Sequence, residues 1–102
     1  MTKYLLKQTK TETLIELSGH AGAAPKGYDI VCAGISTLCY FTYNLIDRLQ
    51  YKYEILEIKI SEGYFRLQVK RSDRYLNAIV DNLIDSMDGL WEDYPDFIKK
   101  VN

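Results

Sequence analysis

The sequence predicts an α+β fold in which two β-hairpins alternate with two helices in the order ββαββα. Apolar and polar residues alternate over residues 56–60 and 65–69, which is typical of strands with one buried face. Apolar residues recur at helical spacing over residues 30–50 and again after residue 72. We therefore expect one four-stranded antiparallel sheet, with both helices covering its apolar face.

The four strands are expected in two hairpins. The first hairpin covers residues 3–8 and 12–18, which flank the polar connection Thr9-Lys10-Thr11-Glu12. The second has Ser61-Glu62-Gly63 as its turn, because glycine accepts the backbone conformations that tight turns need.

Two amphipathic helices complete the fold. Helix one is predicted from about Ile30 to Gln50, with Cys39 on its core side as a buried apolar filler. Helix two is predicted to start at Ser72 or Asp73 and to stop at Pro95, because proline cannot continue a helix.

Composition indicates one domain over residues 1–102, since the chain has 102 residues of which 47% are hydrophobic. The net charge of −1 favours neither nucleic acid nor an anionic membrane as a partner. We expect no signal peptide and no apolar run of membrane-spanning length, and hence a cytoplasmic protein with reduced thiols. Cys32 and Cys39 would lie about 10 Å apart along one helix, which is too far for a disulfide.

A chemically distinctive segment lies between the first hairpin and helix one. It reads Gly19-His20-Ala21-Gly22-Ala23-Ala24-Pro25-Lys26-Gly27-Tyr28-Asp29-Ile30-Val31-Cys32 and holds the only histidine of the protein and one of its two cysteines. An imidazole and a thiol at the two ends of a loop are the minimum equipment for thiolate nucleophilic catalysis. We expect this loop to order over a bound peptide as a lid.

The position of Cys32 favours ionisation of its thiol. Asp29 follows a turn signal and precedes the apolar-periodic segment, so it is predicted as the helix N-cap, with Cys32 in the first turn. Unpaired backbone N–H groups and the helix dipole favour an anion there, and a nearby imidazolium adds to this effect. A reactive Cys32 is therefore predicted if His20 reaches it.

The same residues carry a family resemblance. Gly19-His20-Ala21, a loop, and then Gly27-Tyr28-Asp29-Ile30-Val31-Cys32-Ala33-Gly34-Ile35-Ser36 resemble the signature of the ribosomal-processing cysteine proteases, Prp. The likeness extends over the whole chain in length and element order, although its diagnostic part is this segment.

The resemblance implies a function and a site. Members of that family remove a short N-terminal extension from large-subunit ribosomal protein number twenty-seven, and they are usually homodimers with the two-layer fold expected here. The implied catalytic dyad is His20 and Cys32, and Asp29 either orients His20 or caps the helix. No cofactor and no metal are implied. The remaining candidates, for contacts with the substrate, are Gly19, Ala21, Gly22, Gly27, Tyr28, Ala33 and Ser36.

In the mechanism that we expect, the Cys32 thiolate attacks the scissile carbonyl and His20 protonates the leaving amine. The backbone N–H of Cys32 and another from the loop are the expected oxyanion hole. Three alternatives stay open at this point. They are a thiol redox or acyl-transfer protein, a metal site made of His20, Cys32 and Asp29, and a dimeric binding domain without chemistry.

Overall fold

The computed structural model describes the backbone of residues 1–19 and 26–102, and the side chains of residues 1–19 and 30–102. The elements are β1 (Thr2–Gln8), β2 (Glu12–Ser18), α1 (Lys26–Arg48), a 3-10 turn (Lys52–Glu54), β3 (Ile55–Ser61), β4 (Tyr64–Lys70), α2 (Arg74–Asp93) and β5 (Ile98–Lys100). The predicted order of two hairpins and two helices is confirmed, and one further strand follows α2.

The described strands form one sheet in the spatial order β3-β4-β2-β1-β5. The two hairpins are joined by antiparallel pairing of β2 with β4, which runs from Glu12 opposite Lys70 to Ser18 opposite Tyr64. β1 pairs antiparallel with β2, and β3 with β4, whereas β5 lies parallel to β1. The sheet is therefore mostly antiparallel, as predicted.

The predicted number of four strands is wrong, because β5 adds a fifth. Its three residues, Ile98–Lys100, are too few to show the alternation by which strands are recognised in a sequence. They become a strand because they lie beside Thr2–Tyr4 of β1. Asn102 extends this edge: its side-chain oxygen accepts a hydrogen bond from the Leu6 backbone N–H at 3.1 Å, and its amide nitrogen donates to the Leu6 carbonyl.

One face of the sheet and both helices enclose the hydrophobic core. Alternate residues of the two central strands are buried, among them Ile15 and Leu17 of β2 and Leu67 and Val69 of β4. They belong to one cluster with apolar residues of both helices, so both helices pack on the same face, as expected. The helical members are Val31, Ile35, Cys39, Ile46, Leu76, Val80, Leu83, Ile84 and Met87.

The start of α2 confirms the sequence-based prediction. Asp73 is the N-cap, and its Oδ1 accepts hydrogen bonds from the backbone N–H groups of Tyr75 at 2.8 Å and Leu76 at 3.1 Å. The Tyr51 hydroxyl donates to the same oxygen at 2.7 Å, and together with these amides it lowers the pKa of the Asp73 carboxyl. α2 then ends at Asp93, two residues before Pro95.

The start of α1 differs from the prediction. The helix begins at Lys26 and not at Ile30, so Asp29 lies inside the helix and is not its N-cap. The sequence argument placed the helix start at the first strongly apolar position. A helix with glycine and tyrosine in its first turn does not show the apolar spacing from which that start was inferred.

The stretch Ile30–Arg48 of α1 has 19 residues and is long and apolar enough to cross a membrane, by length and composition alone. The expectation that no stretch reaches this length is therefore wrong. The first charged side chain in this stretch is Asp47. Small and aromatic residues keep its mean hydropathy apolar, although it contains no continuous aliphatic run. A core helix of a globular domain meets the same criterion, and Val31, Ile35 and Cys39 of this helix lie in the core.

Candidate active site

A cleft of about 240 Å³ opens at one end of the two-layer fold. It lies where the end of β2 and the β3–β4 turn approach the N-terminal half of α1. Its lining residues are Thr2, Leu17, Ser18, Gly19, Cys32, Ile35, Ser36, Cys39, Tyr40, Ile60, Ser61, Glu62, Gly63, Tyr64 and Phe65. This volume is enough for a few side chains of a peptide and is too small for a folded partner.

The two cysteines differ in their exposure within this cleft. Both are free thiols, as predicted. Cys32 is half-buried, whereas Cys39 is 4% exposed, and burial raises the pKa of the Cys39 thiol to about 12. Cys39 is therefore a protonated core residue at neutral pH, and Cys32 is the cysteine that a ligand in the cleft can reach.

Cys32 lies further from the start of α1 than the sequence predicted. Because α1 begins at Lys26, Cys32 lies in the second turn and not in the first. The influence of the helix dipole falls off within the first turn. The backbone N–H of Cys32 is also beyond the four that lack an internal partner, so it is not free to serve in an oxyanion hole, contrary to the expectation.

Gly19 directly follows the last residue of β2 and directly precedes His20 in the sequence. Its backbone N–H donates a hydrogen bond to the Gly63 carbonyl at 3.0 Å, which ties the end of β2 to the β3–β4 turn. Its φ is 122°, and a Cβ at this position would lie 2.4 Å from the Met1 carbonyl oxygen. No residue other than glycine fits here without displacement, because both the backbone conformation and the contact exclude a side chain.

The remaining residues predicted for the site have different outcomes. Ser36 lines the cleft, and Ala33 is exposed on α1 and is not among the lining residues. His20, Ala21 and Gly22 lie outside the described residues. The backbone of Gly27, Tyr28 and Asp29 belongs to α1, and their side chains lie outside the described part.

The cleft contains residues that sequence reasoning did not connect with the site. Thr2 comes from the start of β1, and Glu62 comes from the β3–β4 turn. The sequence predicts a turn at Ser61-Glu62-Gly63, but it carries no signal that this turn lies near Cys32. The pairing of Ser18 with Tyr64 creates the proximity, because it places the end of β2 beside the turn.

The described residues contain no group of three histidine, cysteine or acidic side chains that could hold a metal ion. The hypothetical set of His20, Cys32 and Asp29 falls largely outside the described side chains, so it is not tested by this observation.

The fold and the cleft define a small α+β protein with one accessible thiol in a peptide-sized groove. Comparison with protein families identifies the class as cysteine protease: the model for "Cysteine protease Prp" matches residues 1–99. The chain belongs to the Prp family, and the resemblance stated from the Gly19–Ser36 segment is confirmed. Family membership favours proteolysis over the redox, acyl-transfer and non-catalytic alternatives.

Individual relatives agree with this assignment. The chain is 27% identical over 89 residues to the ribosomal processing cysteine protease Prp of Bacillus subtilis (strain 168), covering 82% of this chain and 80% of the relative. Two crystal structures of Prp from S. aureus, an essential ribosomal processing protease, share the fold. The complex with a substrate peptide has a TM-score of 0.82 at 20% identity, covering 99% of this chain and 98% of the other. The complex with a covalently linked product peptide has a TM-score of 0.77 at 22% identity, covering 98% and 97%.

Proposed function

We propose that this protein is a cysteine endopeptidase that removes a short N-terminal extension from large-subunit ribosomal protein number twenty-seven. The observation that carries the proposal is the accessible thiol of Cys32 in a cleft whose wall includes Gly19, the residue directly before His20. Membership of a family whose Bacillus subtilis relative is named for ribosomal processing supports the choice of substrate.

In the proposed mechanism, His20 takes the proton of the Cys32 thiol, and the thiolate sulfur attacks the scissile carbonyl carbon. The C–N bond then breaks, and the leaving amine takes the proton from the His20 imidazolium. Water next attacks the thioester, giving its proton to His20. The C–S bond breaks as the proton returns from His20 to Cys32, which restores the thiol and frees the new carboxylic acid. The acid then loses its remaining proton to the solvent and leaves as a carboxylate.

Three residues support this chemistry in the proposed scheme. Because the helix dipole is weak at the second turn, the imidazolium of His20 is the principal group that stabilises the thiolate. Because the Cys32 N–H is used within the helix, a different donor must stabilise the oxyanion. We assign this role to the hydroxyl of Ser36, which lines the cleft one helical turn after Cys32. Asp29 is retained as a residue that orients His20, since it is not the N-cap.

The proposal also includes a homodimer and a cytoplasmic location, where ribosomal proteins are assembled. Exposed apolar side chains on α1, with Ile30 at 67% and Phe41 at 63% exposure, support an association of two copies. Sedimentation equilibrium measures the mass of the particle, and a mass of one chain would contradict the dimer.

The substrate assignment is tested with a synthetic peptide that carries the N-terminal extension of the ribosomal protein. We expect the protein to cut it at one bond, and mass spectrometry of the products gives that bond. A peptide of the same composition in scrambled order is the control and should stay intact. Equal cleavage of both peptides would contradict the proposed substrate, because it would show that the protein is a protease without sequence specificity.

A further inference from the structure

The lining of the cleft is almost free of charge. Among the described residues that line it, Glu62 has the only ionisable side chain with a full charge at neutral pH. Its neighbours are small, hydroxyl-bearing or apolar residues, such as Ser61, Ser36 and Ile60. Among the described lining residues, a single carboxylate is therefore the only fixed charge that a substrate side chain in the cleft would meet directly.

The carboxylate of Glu62 has no described partner of its own. Other carboxylates on the sheet are paired: Arg66 donates to Glu16 at 2.7 Å and also to Glu57. Among the side chains that the structure describes, none forms a hydrogen bond or an ion pair with Glu62, which is exposed. It is available to a cation that enters the cleft.

The turn that carries Glu62 has a fixed position relative to the strand that leads to the catalytic histidine. Gly63, the next residue, has a φ of 70° that suits glycine in a tight turn. Its carbonyl accepts the hydrogen bond from the Gly19 N–H at 3.0 Å, and Ser61 pairs with Tyr64 to close the hairpin. The backbone at Glu62 therefore keeps a constant position relative to the end of β2.

We infer that Glu62 is a specificity-determining residue that binds a lysine or arginine side chain of the peptide near the scissile bond. The inference rests on the proposed peptidase function of the same cleft and adds the chemical class of one substrate residue. Because the carboxylate is exposed, the attraction is partly screened by solvent and weakens with salt.

The test uses peptides derived from the cleaved extension, in which lysine, glutamine or glutamate replaces one residue at a time on both sides of the scissile bond. We expect one position where the wild-type protein prefers lysine to glutamate by about five- to tenfold in kcat/KM. The preference should appear mainly in KM, since the contact forms equally in the ground state and the transition state. It should decline as the salt concentration is raised.

Three variants decide the origin of any preference. Glu62→Gln should abolish it, and Glu62→Lys should reverse it in favour of glutamate. Glu92→Gln removes an exposed carboxylate on α2 that does not line the cleft, and it should leave the preference unchanged. Both positions are exposed, so thermal unfolding of all three variants should be close to that of the wild type.

The outcomes separate the inference from the function on which it rests. A protein that cuts the peptides with no preference for charge at any position retains the proposed function and overturns the role of Glu62. A lysine preference that persists in Glu62→Gln, or one that is lost equally in Glu92→Gln, also overturns it. Failure of the wild-type protein to cut any of the peptides contradicts the proposed function itself, and the inference with it.

Discussion

Replacing Cys32 with alanine is expected to lower kcat/KM for the ribosomal peptide by about 10⁴-fold or more, because the nucleophile is lost and no other accessible thiol is present among the described residues. Cleavage is measured by chromatography of the peptide products at fixed enzyme concentration. The overall fold should be retained, since Cys32 is half-buried and its side chain is small.

The matched control is Cys39→Ala. Cys39 is 4% exposed and packs in the core, so its loss should lower the free energy of unfolding by about 1 kcal/mol and leave cleavage within a few-fold of the wild type. Iodoacetamide should label Cys32 and leave Cys39 unmodified in the folded protein. Normal cleavage by Cys32→Ala, or labelling of Cys39 in preference to Cys32, would contradict the assignment of the nucleophile.

His20→Ala belongs to the same experiment, because the two groups act as a unit. A dyad predicts a loss of similar size in both single variants and little further loss in the double variant. Independent roles would instead give losses that multiply. The measurement also tests a residue that lies outside the described part of the structure.

Replacing Gly19 with alanine is expected to lower the free energy of unfolding by about 2–4 kcal/mol, from strain at positive φ and from overpacking. The new Cβ would lie 2.4 Å from the Met1 carbonyl oxygen, so the end of β2 or the start of β1 must move. Because His20 follows directly, we also expect cleavage to fall by about 10- to 100-fold, mainly in kcat. Urea unfolding and steady-state kinetics measure the two effects.

Gly89→Ala is the control for this substitution. Gly89 lies in α2, and an added Cβ would have no heavy atom within 4 Å apart from its chain neighbours and the backbone of its own helix. Alanine should therefore raise the free energy of unfolding by about 1 kcal/mol through its higher helix propensity. Cleavage should not change. A Gly19→Ala variant as stable and as active as the wild type would show that the contact with Met1 does not constrain this strand.

Much of the fold was predictable because its signals are local. Strict alternation in residues 65–69 predicts one buried face, and Phe65, Leu67 and Val69 are buried. Helix two was predicted to start at Ser72 or Asp73, and Asp73 is the N-cap of α2, where its carboxylate accepts hydrogen bonds from free backbone N–H groups. The spacing of glycine, histidine and cysteine between residues 19 and 36 was sufficient to indicate the family.

The errors concern features that no local pattern encodes. The start of α1 was placed at Ile30 because the first turn of the helix contains no apolar stripe. The expected roles of Asp29 as the N-cap and of the Cys32 N–H in the oxyanion hole depended on that start, so they were wrong as well. β5 was missed because three residues are a strand only through the neighbour with which they pair.

The sequence by itself determined the alternation of two hairpins with two helices, the class of the site and the pair of residues proposed to carry out its chemistry. It could do so because hydrophobic period, helix capping and the spacing of reactive side chains are properties of contiguous residues. Only the tertiary structure decided why position 19 must be glycine and that Glu62 lies in the cleft. These depend on pairing of β2 with β4 and on packing of α1 against the sheet, which bring together residues that are far apart in the chain.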